Sequence, residues 1–144
     1  MFNRLKSFFK KAQLSSTSLS GRRILVVEDE TAQRLTLERI LQKEGVHVVS
    51  AENGEQGLRK AVEFFPDVIL LDERMPVMSG ADMCRELKKH EVTRDIPVIF
   101  LTAADSPEDV VEHFELGAEI HLAKPINAKE LISQILISLN TVKE

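Results

Sequence analysis

A single cysteine, Cys84, in a chain of 144 residues excludes an intramolecular disulfide. No grouping of cysteine and histidine has zinc-site spacing. No apolar run approaches the roughly 20 residues that cross a bilayer, and no cleavable apolar segment follows the N-terminus. These absences favour a cytoplasmic chain that is not an integral membrane protein. The longest stretch without an acidic residue is the N-terminal one. Residues 1–23 carry Arg4, Lys6, Lys10, Lys11, Arg22 and Arg23 and no acid. The other 13 basic residues face all 23 acidic ones, so a +6 N-terminus is joined to a body of net −10. So acidic a body is a poor nucleic-acid binder, and no nucleic-acid partner is expected.

What is present suits one domain with a real core, since 43% of the residues are hydrophobic against 29% charged. Residues 1–21 read as a basic N-terminal extension and 22–144 as the domain. Within the extension, Phe2, Leu5, Phe8, Phe9 and Ala12 recur at near-helical spacing opposite a basic face, and 15–21 is a serine-rich linker. Residues 1–14 are therefore either a disordered tail or an amphipathic helix for a partner, for their own domain or for a membrane surface.

From residue 24 the pattern alternates. Strands are predicted at 24–27, 46–51, 68–72, 96–102 and 119–123, with Pro97 tolerable at a strand start. Helical recurrence follows each strand. Leu35, Leu37, Ile40 and Leu41 mark the first helix, and Leu58, Ala61, Val62 and Phe65 one face of a second over 55–65. A third, over 81–89, can be capped by Ser79. A fourth runs from Asp105-Ser106-Pro107 to Leu116, where Gly117 stops it. The last is capped by Asn127 and carries Leu131, Ile132, Ile135, Leu136 and Leu139. Five alternating pairs predict a flavodoxin-like (βα)5 α/β sandwich, with five parallel strands in the order 2-1-3-4-5 and helices on both faces.

Strands one, three, four and five end in polar residues, Glu28-Asp29, Asp72, Thr102 and Lys124, and the carboxyl edge of an open parallel sheet is where ligands bind. Asp72 is the leading candidate, because an unbroken apolar run delivers it to an abrupt stop. Three converging carboxylates repel one another unless a cation neutralises them, and Mg2+ suits a loop-lined set of hard oxygen donors. An EF-hand would need an acidic spacing and a glycine turn that are missing. Lys124 adds a fixed positive charge and Thr102 a hydroxyl, so with the metal they could hold a phosphoryl group placed on a carboxylate.

Glu28-Asp29, the run 72–80 from Asp72 to Gly80, Thr102-Ala103 and Lys124-Pro125 resemble the receiver domain of two-component response regulators over roughly residues 22–141. The intervals of 43, 30 and 22 residues between Asp29, Asp72, Thr102 and Lys124 make the resemblance specific. It implies that Asp72 is the phosphoacceptor, taking a phosphoryl group from a histidine kinase or histidine phosphotransfer protein as an aspartyl phosphate. It also implies that Asp29, Asp72 and the Arg74 backbone carbonyl bind Mg2+, with Glu28 acting mainly through water. Lys124 and Thr102-Ala103 would contact the phosphoryl group, and His121 would stand where the family usually carries a Tyr or Phe rotamer switch. Pro125 is the candidate for a cis peptide bond. No enzyme activity is expected beyond its own phosphorylation and dephosphorylation.

With no recognisable output segment after Asn140, a stand-alone receiver is expected, a monomer or weak dimer whose output is contact with a downstream protein. Two rivals remain. One is a receiver-like module that interacts without being phosphorylated, against which the intact acidic pocket argues. The other is a haloacid-dehalogenase-like phosphatase, which needs a second Asp two residues after the nucleophile, where this chain has Arg74.

Overall fold

The computed structural model describes residues 18–103, 115 and 120–140. Among these residues the elements are β1 (Arg23–Val27), α1 (Thr31–Lys43), β2 (His47–Ala51), α2 (Gly54–Phe64), β3 (Val68–Asp72), α3 (Gly80–Lys89), β4 (Val98–Thr102), β5 (Ile120–Ala123) and α4 (Ala128–Asn140). The strands form one parallel sheet ordered 2-1-3-4-5. The expected extension at 1–14 lies outside the described residues, as does the helix expected between 105 and 116, apart from Glu115.

Every residue of β3 and β4 is buried, as continuous apolar runs require when helices cover both faces. Strand alternation then sorts the core. Ile24, Val26, Val68, Leu70, Ile99, Leu101 and Leu122 pack on one side with Leu37 and Leu41 of α1 and Leu131, Ile135 and Leu139 of α4. Leu25, Val27, Ile69, Leu71, Val98 and Phe100 pack on the other with Ala61 of α2 and Met83, Cys84 and Leu87 of α3. The side-chain oxygens of Asn53, Ser79 and Asn127 accept from the backbone N–H groups of Gln56, Asp82 and Glu130 at 2.9, 3.1 and 3.1 Å, capping α2, α3 and α4.

Three apolar residues do not sit where periodicity places them. Leu35 is exposed, because the stripe of α1 runs through Arg34, Leu37 and Leu41. Val62 and Phe65 are exposed as well, and Phe64 is buried in their place. Helix α2 ends at Phe64, and Phe65 turns off its face in a left-handed conformation with φ 52°. The Arg23 guanidinium lies 4.1 Å from the Phe64 ring centroid, and its Nε donates to the Phe64 carbonyl at 2.9 Å. Leu19, in the serine-rich linker, is buried in the α1/α4 core. Gly21, at φ +79°, turns the chain there and donates to the Gly45 carbonyl at 2.9 Å. Strand β4 begins at Val98, since Pro97 has no N–H for the ladder, although its carbonyl accepts from Ile69 at 3.0 Å.

Gly80 opens α3 directly against the end of β3. A Cβ there would stand 2.5 Å from the Asp72 carbonyl oxygen and 3.0 Å from Phe100 Cε1. Gly80→Ala should therefore cost about 2–3 kcal/mol by overpacking. A urea midpoint equal to that of the wild type would contradict this close approach.

Candidate functional site

The strand register explains how distant residues meet. Val27 pairs with Leu71 across β1 and β3, so the next residues, Glu28 and Asp72, leave the sheet side by side. Both share the parity of Val26 and Leu70, which face α1 and α4. Lys124 shares the parity of Leu122 on that same side, so the two carboxylates and the ammonium are aimed into one pocket.

Glu28 is 0% exposed and Asp72 4%, while Asp29 is half-buried. One carboxylate oxygen from each of Glu28, Asp29 and Asp72 lies within 4.8 Å of the others. Lys124 Nζ donates to Asp72 Oδ1 at 3.0 Å, to Glu28 Oε2 at 3.1 Å and to Gln33 Oε1 at 2.6 Å. Burial raises the Asp72 pKa. The Lys124 hydrogen bond and charge oppose the rise, and nearby Asp29 reinforces it. Burial, then the charge of Asp72, raises the Glu28 pKa against the pull of Lys124. For Lys124 burial acts downward, but the hydrogen bond and charge of Asp72, and then those of Glu28, win and raise its pKa.

Arg34, itself buried, holds the acidic loop in shape. Its Nη1 donates to the carbonyls of Glu28 and Asp29 at 2.9 and 3.4 Å, and its Nη2 reaches Glu52 Oε1 at 3.3 Å. No side-chain bond caps α1. Gln33 and Arg34 were both missed by reading the helix for apolar recurrence alone. Arg34 lies three residues before Leu37 and seven before Leu41, and Gln33 lies four before Leu37, so polar residues on that stripe were a usable signal.

Thr102 and His121 meet on the opposite side of the sheet. His121 pairs with Phe100, and Thr102 shares the parity of Phe100, so both side chains face away from α1. Thr102 Oγ1 and His121 Nε2 are 3.1 Å apart, and Thr102 is buried. The Lys124 N–H donates to the Thr102 carbonyl at 2.7 Å, which ties the two strand ends together. Ala103 follows at the exposed rim, and the Lys124–Pro125 peptide is cis. Arg74 is exposed in the loop after β3. A cavity of about 300 Å³ opens beside Lys124, walled by Gln33, Thr36, Leu37, Ile40 and Ile126.

The arrangement is a recessed, solvent-edged cluster of hard oxygen donors with one cation already seated. Such a set fits a divalent ion such as Mg2+ and disfavours a soft metal, because it contains no sulfur or imidazole. None of the described helices is long and apolar enough to cross a membrane.

Comparison with known proteins places this geometry among relatives. The response regulator receiver domain family matches residues 24–136. The phosphate regulon transcriptional regulatory protein PhoB of Escherichia coli K12 is 42% identical over 115 residues, covering 80% of this chain and 50% of PhoB. The chain thus spans about half the length of the curated relatives it matches. Among solved structures, chemotaxis protein CheY4 of Vibrio cholerae superposes with a TM-score of 0.78 at 31% identity, covering 81% of this chain and 98% of that one. The receiver domain of a Pseudomonas aeruginosa PAO1 sensor histidine kinase, solved with a magnesium ion in its active-site cleft, gives a TM-score of 0.76 at 34% identity. It covers 84% of this chain and 98% of its own.

Proposed function

This chain belongs to the response regulator receiver domain family, and we propose that in it Asp72 accepts a phosphoryl group from the phosphohistidine of a histidine kinase or phosphotransfer protein. The observation that carries this is Asp72 itself, a buried carboxylate at the end of β3 with Lys124 at 3.0 Å and two more carboxylates beside it.

A carboxylate oxygen of Asp72 attacks phosphorus, the P–N bond breaks as the P–O bond forms, and the departing imidazole keeps its electron pair and takes a proton from solvent. Lys124 orients and partly neutralises the arriving oxygens. Asp29, Asp72 and the Arg74 carbonyl would hold Mg2+, with Glu28 behind them. The donor set fits that ion, and the magnesium in the related Pseudomonas receiver supports the reading. When bound, Mg2+ supplies positive charge for the phosphoryl oxygens.

Signalling would begin at Thr102. Its hydroxyl and the Ala103 backbone can turn toward the phosphoryl group only if Thr102 leaves His121, which then moves into the space vacated. The surface that reports the change would be the helix expected between 105 and 116 together with β5 and α4, including Ile120, Lys129 and Ile132, with a downstream protein as its reader. Val110 and His113 of the same expected surface lie outside the described residues.

Beryllofluoride with Mg2+ should shift the amides of residues 102–103 and 120–124 as well as those around Asp72, and excess EDTA should abolish the shifts. Shifts confined to the pocket, or unaffected by EDTA, would contradict the proposal.

A further inference from the structure

An ammonium group has three N–H donors and no acceptor. All three donors of Lys124 are matched here by Asp72, Glu28 and Gln33, and the contact to Gln33 is the shortest at 2.6 Å. Because the ammonium can only donate, the Gln33 amide must present its oxygen. Gln33 sits in the first turn of α1, four residues before buried Leu37, so its backbone is fixed by the packing of that helix. Glu28 is fixed from the other side, where its carboxylate accepts from the Glu30 N–H at 3.3 Å and its carbonyl from Arg34 at 2.9 Å.

Two anchored acceptors leave the third N–H one direction, toward Asp72 Oδ1. Lysine is a flexible four-carbon stem with a freely rotating head, and aiming it without such anchors costs rotamer entropy in every turnover. A carboxylate in the place of Gln33 would also hold the ammonium, but it would add a fourth negative charge beside Glu28, Asp29 and Asp72, whose oxygens already lie within 4.8 Å of one another. A neutral amide gives direction without charge.

We propose that Gln33 is a positioning residue for phosphoryl transfer, holding Lys124 so that one N–H is directed at Oδ1 of the Asp72 carboxylate that receives the phosphoryl group. The inference rests on Asp72 being the phosphoacceptor, and its test separates the two. Full-length protein is labelled with acetyl phosphate at saturating Mg2+, and the rate is followed by intact-mass spectrometry. Gln33→Leu, which keeps the side-chain bulk and removes the acceptor, should slow labelling about tenfold. Gln33→Glu, which keeps an acceptor at the same reach, should recover most of the loss. In a Lys124→Met background, Gln33→Leu should have no further effect, an outcome that a general loosening of α1 could not produce.

A wild-type rate for Gln33→Leu would overturn the proposal. So would an equal fold loss in the Lys124→Met background. Absence of labelling in the wild type itself would instead refute Asp72 as the acceptor.

Discussion

Lys124→Met should destabilise the metal-free protein by about 3 kcal/mol at neutral pH, since removing one partner of a buried ion pair leaves the other charge uncompensated. Here two charges are left, on carboxylates whose side chains are only 1% and 5% exposed, while the lysine is 18% exposed. Methionine keeps the stem, so most of the loss is electrostatic and should depend on pH. In the wild type, Glu28 and Asp72 have folded-state pKa values above their ordinary 4.5 and 3.8. A raised carboxylate pKa means that the folded state binds the proton more tightly. The resulting stability is fully present below the unfolded value and is lost as pH rises through the folded one. Removing Lys124 takes away the influence that restrains both shifts. The gap between Lys124→Met and wild type should therefore be widest near neutrality and close as pH falls toward the ordinary carboxylate range. Lys124 follows the same sign in a different window, because its own raised pKa contributes stability that is fully present below 10.5 and is lost only as pH rises through its folded value. Mg2+ should narrow the neutral-pH gap by replacing the missing charge. Urea unfolding between about pH 4 and 8, with and without Mg2+, measures both effects. A gap that is constant in pH and indifferent to Mg2+ would mean that Lys124 acts through packing alone.

Asp72→Asn should show the converse. It removes one of three mutually repelling acids and keeps an oxygen that can accept from Lys124, so the metal-free variant should melt above the wild type. For a domain of this size the rise is about 3 °C for each kcal/mol. Chemistry is lost at the same time, because a neutral amide oxygen is too weak a nucleophile to take the phosphoryl group. Labelling by acetyl phosphate should fall on the order of a thousandfold or more. A variant that is at once more stable and inert is a costly residue kept for function. A lower melting temperature for Asp72→Asn would show that the ion pair with Lys124 outweighs the repulsion around it.

The strands were legible because β1, β3 and β4 are unbroken apolar runs, and only burial on both faces tolerates such runs. The meeting of Glu28, Asp29, Asp72 and Lys124 was legible for the same reason, since strand ends in a parallel sheet share one edge. Its electrostatic detail was not. The anchoring of Lys124 by Gln33 and of the acidic loop by Arg34 depends on polar residues placed on the buried face of α1, and a search for apolar spacing passes over them. Phe64 and Phe65 show a different limit. Adjacent identical residues give periodicity nothing to choose between, and the choice is made by where α2 ends and by Arg23 packing on the Phe64 ring. Leu19 was hidden by its serine-rich surroundings, whose composition reads as linker although one side chain completes the core.

The central claim is that Asp72 is the phosphoacceptor in a metal-dependent pocket. Its most direct test is to treat the wild-type protein with acetyl phosphate and Mg2+, trap the acyl phosphate by reduction, and locate the modified residue by peptide mass spectrometry. The account predicts one modified residue, Asp72, and none when excess EDTA is present. Modification at Asp29, Glu28 or a histidine, or full labelling without a divalent ion, would contradict it.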